Sequence, residues 1–157
     1  MAELNPAVIP LSLYIHMPWC VRKCPYCDFN SHAVPDGELS LELEQEYLHA
    51  LVEDFKTQVD FAQGRQIHTV FIGGGTPSLI SAQGYQWLFD QLQAIIPFAE
   101  GCEITLEANP GTVEHDPFAG YLQAGINRLS IGVQSFNTDH LKRLGRIHSN
   151  EDAISAI

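Results

Sequence analysis

Three short segments of this chain alternate apolar and polar residues, and stretches with helical periodicity lie between them. In Leu11–Met17, the residues Leu11, Leu13 and Ile15 fall on one side, and Ser12, Tyr14 and His16 on the other. In Glu103–Ala108, Ile104, Leu106 and Ala108 oppose Glu103, Thr105 and Glu107, with Asn109 continuing the polar side. In Arg128–Gln134, Leu129, Ile131 and Val133 oppose Ser130, Gly132 and Gln134. A further strand is expected over Thr69–Gly73. Strands alternating with helices predict right-handed βαβ units and a parallel sheet. Parallel strands covered on both faces read as continuous apolar runs, so the alternation leaves one face free of helices. On a curved sheet that face is the concave interior. A polar interior suits a barrel that encloses a polar ligand, and its site is expected at the C-terminal ends of the strands.

The first helix is expected over Leu39–Ala62, where Leu48, Leu51, Val52, Phe55 and Val59 recur at helical spacing. The turn Pro35-Asp36-Gly37 precedes it and Gly64 follows. Ser81 is placed to cap a second helix carrying Trp87, Leu88, Leu92 and Ile95, stopped by Pro97. Thr112 is expected to cap a third, with Phe118, Tyr121 and Leu122, closed by Gly125. Ser149-Asn150-Glu151-Asp152 opens a fourth that runs to Ile157. At 157 residues, 45% of them hydrophobic, the chain fits one domain. The expected division is a tail over residues 1–10 and a core domain over 11–157. Four strands and three and a half helices fall short of a closed eight-stranded barrel of ~250 residues. The chain is therefore expected to be the N-terminal part of a longer protein, truncated after strand four, with a free sheet edge there. Such a part is expected to turn over nothing alone.

Three cysteines share one loop after the first strand, Cys20-Val-Arg-Lys-Cys24-Pro-Tyr-Cys27. Met1–Pro10 has neither a basic n-region nor an apolar h-region, and no apolar run approaches the length of a membrane span. This points to the cytoplasm, where closely spaced cysteines serve as metal ligands or redox groups. The net charge of −11 argues against nucleic acid as a partner. A four-iron cluster takes four cysteines as a rule, so three leave one iron open to another ligand. The competing reading is a zinc site completed by His16 or His32. Cys102 stands apart, beside a glycine, as a small hydrophobe.

The run Gly73-Gly74-Gly75-Thr76-Pro77 follows strand two, where missing side chains let the backbone approach a ligand. It has the spacing of neither a dinucleotide fingerprint nor a P-loop. Glu107 and Gln134 lie on the polar face near the ends of strands three and four. A buried Glu107 needs a partner, on a ligand or as a salt bridge to Arg128 or Arg146. Arg146 is either a clamp for an anionic group or a solvated loop charge. His16 reads as a polar interior residue. His49, His68, His115, His140 and His148 show no metal-ligand spacing and are expected to be surface or local residues.

The segment Tyr14-Ile-His-Met-Pro-Trp-Cys20-Val-Arg-Lys-Cys24-Pro-Tyr-Cys27 resembles the cluster motif of the radical S-adenosylmethionine superfamily. Gly73–Ser78, Glu107-Ala-Asn-Pro110-Gly111 and Ile131–Phe136 narrow the resemblance to the branch of oxygen-independent coproporphyrinogen III oxidase and its heme-chaperone relatives. The resemblance runs in order from Leu11 to about His148. It implies a partial (β/α)6 barrel of TIM type, a [4Fe-4S] cluster on Cys20, Cys24 and Cys27, and S-adenosyl-L-methionine (SAM) at the open iron. By position, Tyr14, Tyr26, Gly74 and Glu107 would contact SAM. Gly75, Thr76, Gln134 and Arg146 match residues that contact SAM in the oxidase, including a second molecule of it. The oxidase has another cysteine where this chain has Phe29, and a long extension before its first strand. Both departures favour the heme-chaperone type, which implies heme, heme-acceptor proteins and an electron donor as partners. Its heme-associated motif lies in the C-terminal region, beyond the residues present here.

Overall fold

The computed structural model describes residues 5–34, 38–110 and 117–157. Its centre is a four-stranded parallel sheet in the order β1-β4-β5-β6. The strands are β1 (Leu11–Met17), β4 (Ile67–Gly74), β5 (Phe98–Ala108) and β6 (Arg128–Ile131). A separate two-stranded parallel ladder joins β2 (Trp19–Cys20) to β3 (His32–Ala33). The helices are α1 (Leu41–Thr57), α2 (Val59–Ala62), α3 (Ala82–Ile95), α4 (Phe118–Gln123), α5 (Thr138–Arg143) and α6 (Asn150–Ser155). The expected α/β class and parallel sheet are present.

In β1 and β5 the alternation does what it predicts, while in β6 Leu129 packs against the core only partly buried. Ile15, Met17, Val70, Ile72, Ile104 and Leu106 are buried in one core with Leu48, Val52 and Phe55 of α1 and Tyr85, Leu88 and Leu92 of α3. Each fully buried Leu or Ile contributes about 1.5–3 kcal/mol, so the helical face fixes which way the strands point. The other face carries Tyr14 level with Phe71 and Thr105, and His16 level with Gly73. Phe71 is the aromatic on this face that the sequence pattern did not single out. Its ring stacks on Tyr14, with centroids 6.4 Å apart.

Several boundaries differ from expectation. The first helix begins at Leu41, because the Ser40 side chain accepts from Leu43 N, and it breaks at Gln58 before the short α2. Strand β5 starts at Phe98, five residues before the expected Glu103. Strand β6 ends at Ile131 rather than Gln134, because Gln134 takes a left-handed φ of 65° that a strand cannot contain. Ser81 caps α3 as expected, its hydroxyl accepting from Gly84 N, and Ser149 caps α6 in a capping box with Asp152. Gly125 closes α4 at φ 107°. The turn Pro35-Asp36-Gly37, the Thr112 cap and His115 lie outside the described residues. Helix α5 has no counterpart in the sequence reading.

Buried polar contacts hold the strand ends in place. Tyr85 donates its hydroxyl to Pro77 O at 2.7 Å, and Tyr121 shares its single hydroxyl proton between Ser78 O at 2.8 Å and Ile80 O at 2.9 Å. Both rings are fully buried, so the short 3-10 turn Pro77–Leu79 behind the glycine run rests on a rigid floor. The buried Glu44 of α1 accepts from Ser81 N at 2.9 Å and Ser81 Oγ at 2.6 Å, which ties α1 to the start of α3.

Candidate functional site

A pocket of about 170 Å³ opens at the C-terminal ends of the strands. Cys20, Cys24 and Cys27 form one wall, and Gly74, Gly75 and Thr76 form a second. Glu107 and Asn109 reach in from the end of β5, and Gln134 and Arg146 from the segments after β6. Ten of the eleven residues nominated from sequence line this pocket; Tyr14 does not. Its hydroxyl instead pairs with His16 Nδ1 at 2.9 Å. Partial burial and the Glu107 charge push the Tyr14 hydroxyl above its ordinary pKa. A larger apolar groove of about 490 Å³ runs between β1 and α1, but none of the cysteines lines it.

The cysteine loop is built by its own chain. Cys27 N donates to Cys24 O at 3.1 Å, closing a turn around Pro25 and Tyr26. Lys23 Nζ donates to Phe29 O and Ser31 O, each at 3.1 Å, folding the loop back on itself. The β2–β3 ladder clamps its two ends. All four cysteines are free thiols, with Cys20 buried and Cys24 and Cys27 half-buried. Cys102 lies away from the pocket, and burial raises its thiol pKa.

Glycine is required opposite this loop. A Cβ on Gly75 would stand 2.2 Å from Trp19 O, and Gly75 N donates to Met17 O at 2.6 Å. Gly74, at φ 111°, lies against the His16 ring. Glu107 Oε2 accepts from Gly74 N at 3.3 Å. The expected salt-bridge partners are engaged elsewhere. Arg128 pairs with Glu103 at 3.4 Å. Arg146 donates to Asn109 Oδ1 at 2.5 Å, Gly132 O at 2.8 Å, Tyr26 Oη at 3.2 Å and Cys24 Sγ at 3.5 Å. Glu107 is half-buried and keeps carboxylate surface on the pocket.

Arg146 is thus no solvated loop charge, and its Nε is buried without a partner among the described residues. It joins the cysteine loop to the ends of β5 and β6. Burial raises the Tyr26 hydroxyl pKa, against the opposing charge and hydrogen bond of Arg146. His148, expected at the surface, is 4% exposed. Sequence reading missed it because its role needs a partner fifteen residues upstream, Val133, whose carbonyl lies 3.0 Å from Nε2.

The donor set fits a cluster better than a single ion. Among the described residues no three His, Cys, Asp or Glu side chains are gathered as a single-ion site. His16, one candidate fourth ligand for zinc, has both ring nitrogens engaged, with Tyr14 Oη and with Asn30 O at 2.8 Å. His32, the other, is exposed on β3. Three thiols with no fourth donor gathered beside them among the described residues suit a four-iron cluster with one iron left open.

The chain is similar in sequence and fold to proteins of known type. It is 58% identical over 144 residues to the heme chaperone HemW of Escherichia coli K12, covering 92% of this chain and 37% of that one. It is 53% identical over 156 residues to the HemW of Haemophilus influenzae, covering 97% of this chain and 40% of that one. The chain thus spans well under half the length of these relatives. The E. coli coproporphyrinogen III oxidase HemN, described as a radical SAM enzyme, superposes with a TM-score of 0.78 at 29% identity, covering 93% of this chain and 33% of that one. This likeness bears out the expected barrel-type fold. Residues 14–157 match the family model of the radical SAM superfamily, and the chain belongs to that superfamily.

Proposed function

We propose that this chain is the cofactor-binding part of a heme chaperone that holds a [4Fe-4S] cluster and SAM. The observation that carries this reading is the meeting of three free thiols, a side-chain-free glycine edge and a carboxylate on one pocket. Cys20, Cys24 and Cys27 would hold the cluster. The glycine edge and Glu107 would receive the amine of SAM, with Tyr26 and Thr76 along its length. Gln134 and Arg146 face the far side, and Tyr14 steadies the floor of the site through His16. When bound, the cluster and SAM would supply one-electron radical chemistry beside these residues.

The identity of 58% to HemW, against 29% to HemN, favours heme handling over porphyrinogen decarboxylation. Phe29, exposed on the pocket rim where the oxidase has a cysteine, points the same way. Heme transfer to acceptor proteins in the cytoplasm and an external electron donor complete the proposal. No helix among the described residues is long and apolar enough to cross a membrane.

The test uses the full-length protein, reconstituted anaerobically with iron and sulfide. A [4Fe-4S] spectrum that is lost in Cys24→Ala, with heme retained on gel filtration and no conversion of coproporphyrinogen III, is expected. One bound zinc and no iron in anaerobically purified protein would overturn the cluster. Steady coproporphyrinogen conversion would favour the oxidase.

A further inference from the structure

The segment after β6 follows an unusual path. Gly132 N donates to Ala108 O at 2.8 Å, after which Val133 N reaches back to Ile131 O at 2.9 Å and Ser135 N to Val133 O at 2.8 Å. Two such tight turns in succession lead into Gln134 at φ 65°. The left-handed region costs a residue with a Cβ roughly 1–2 kcal/mol, and such conformations persist only where the surroundings enforce them. Gln134 is also a residue that lines the cofactor pocket.

Two side chains from one downstream stretch supply the enforcement. Arg146 Nη2 donates to Gly132 O at 2.8 Å, and His148 Nε2 lies 3.0 Å from Val133 O. The two carbonyls are consecutive. A carbonyl only accepts, so the His148 proton sits on Nε2 and its Nδ1 is bare. That Nδ1 is buried with no partner among the described residues, so the ring is held for its Nε2 contact. Val133 O then receives both Ser135 N–H and His148 N–H, filling its two lone pairs. The stretch is itself fixed: Arg146 N donates to Leu141 O at 2.9 Å behind α5, and Gly145 turns at φ 68°.

We infer that His148 is a positioning residue for the cofactor pocket, acting with Arg146 as a clamp on the carbonyls of residues 132 and 133 that holds Gln134 toward bound SAM. The inference rests on the SAM reading above. Arg146 reaches Cys24 Sγ at 3.5 Å, whereas the His148 ring bonds only to the Val133 carbonyl among the described residues, so variants of His148 separate SAM affinity from cluster content.

The experiment measures SAM affinity by anaerobic equilibrium dialysis on the full-length reconstituted protein, with iron content and the EPR signal of the reduced cluster with and without SAM. His148→Phe keeps the ring volume and loses the donor. Iron content is expected to hold while SAM affinity falls roughly three- to tenfold, the worth of one hydrogen bond. His148→Gln places an amide nitrogen where Nε2 stood and is expected to restore affinity. His148→Asn is one bond too short to reach Val133 O and is expected to behave like His148→Phe, which keeps the test alive should the Phe variant not fold. In a Gln134→Ala background, His148→Phe is expected to add little, since the clamp works through Gln134. Wild-type affinity in His148→Asn, or in His148→Phe where it folds, would overturn the clamp alone. Absence of SAM binding in the iron-loaded wild type would overturn the underlying reading, and the clamp with it.

Discussion

Glu107 Oε2 accepts the Gly74 backbone N–H at 3.3 Å, so the end of β5 is bonded to the glycine edge of β4 across the mouth of the pocket. The bond orients the carboxylate and leaves it acceptor capacity for a ligand cation. Glu107→Gln keeps an oxygen for Gly74 and removes the charge. SAM affinity is expected to drop about ten- to a hundredfold, as for a charge-assisted hydrogen bond, with iron content unchanged. Dialysis against labelled SAM checks this, and equal affinity would remove Glu107 from the amine site.

Gly75 tolerates no side chain. A methyl group there would meet Trp19 O at 2.2 Å, and backbone on both sides must move. Overpacking of this kind costs about 1–3 kcal/mol. Gly75→Ala is expected to lower the urea midpoint and to reduce iron bound per chain, because Trp19 leads directly into Cys20.

The Glu44–Ser81 contact separates stability from function. Glu44→Ala leaves Ser81 N and Oγ without their acceptor inside the structure, at a cost of about 1–3 kcal/mol. The urea midpoint is expected to fall while SAM affinity per folded, iron-loaded chain stays at the wild-type level. A parallel loss of affinity would mean that the α1–α3 junction shapes the pocket.

Acid is expected to act on the last described segment in two stages. Burial holds His148 below its ordinary pKa near 6.5, and the Arg146 charge adds to this against the Val133 hydrogen bond and Asp152. The unfolded chain therefore takes up this proton first, so the stability His148 contributes is whole above about pH 6.5 and declines as the pH falls below it. Asp152 is held below 3.8 by the Ser149 backbone and hydroxyl hydrogen bonds, so its contribution is lost only at still lower pH. Urea midpoints between about pH 8 and pH 5 are expected to slope in the wild type and to slope less in His148→Phe. Equal slopes would remove His148 as the source.

Much of the fold is legible in local pattern. Strand β1 matches its expected bounds at both ends, and Ser81 and Ser149 cap the helices they precede. These features depend on neighbours within a few residues, where side-chain alternation and capping chemistry act. The extra length of β5 was hidden because Gly101, at φ 70°, reads as a break although the pairing of Ile67 with Phe98 carries the strand past it. Helix α5 was hidden because six residues with one buried position, Leu141, give no periodic signal.

The sequence by itself determined the three-cysteine loop, the parallel sheet and its polar face, because cysteine spacing and period-two alternation are properties of adjacent residues. Only the tertiary structure decided who partners whom. It gave Arg128 rather than Arg146 to an acidic side chain, set Tyr14 against His16 and Phe71, and buried His148 under the loop that carries Gln134. Those choices depend on where the strand ends meet in space. Partners 15 to 122 residues apart along the chain, His148 with Val133 and Arg146 with Cys24, become neighbours only when the sheet forms.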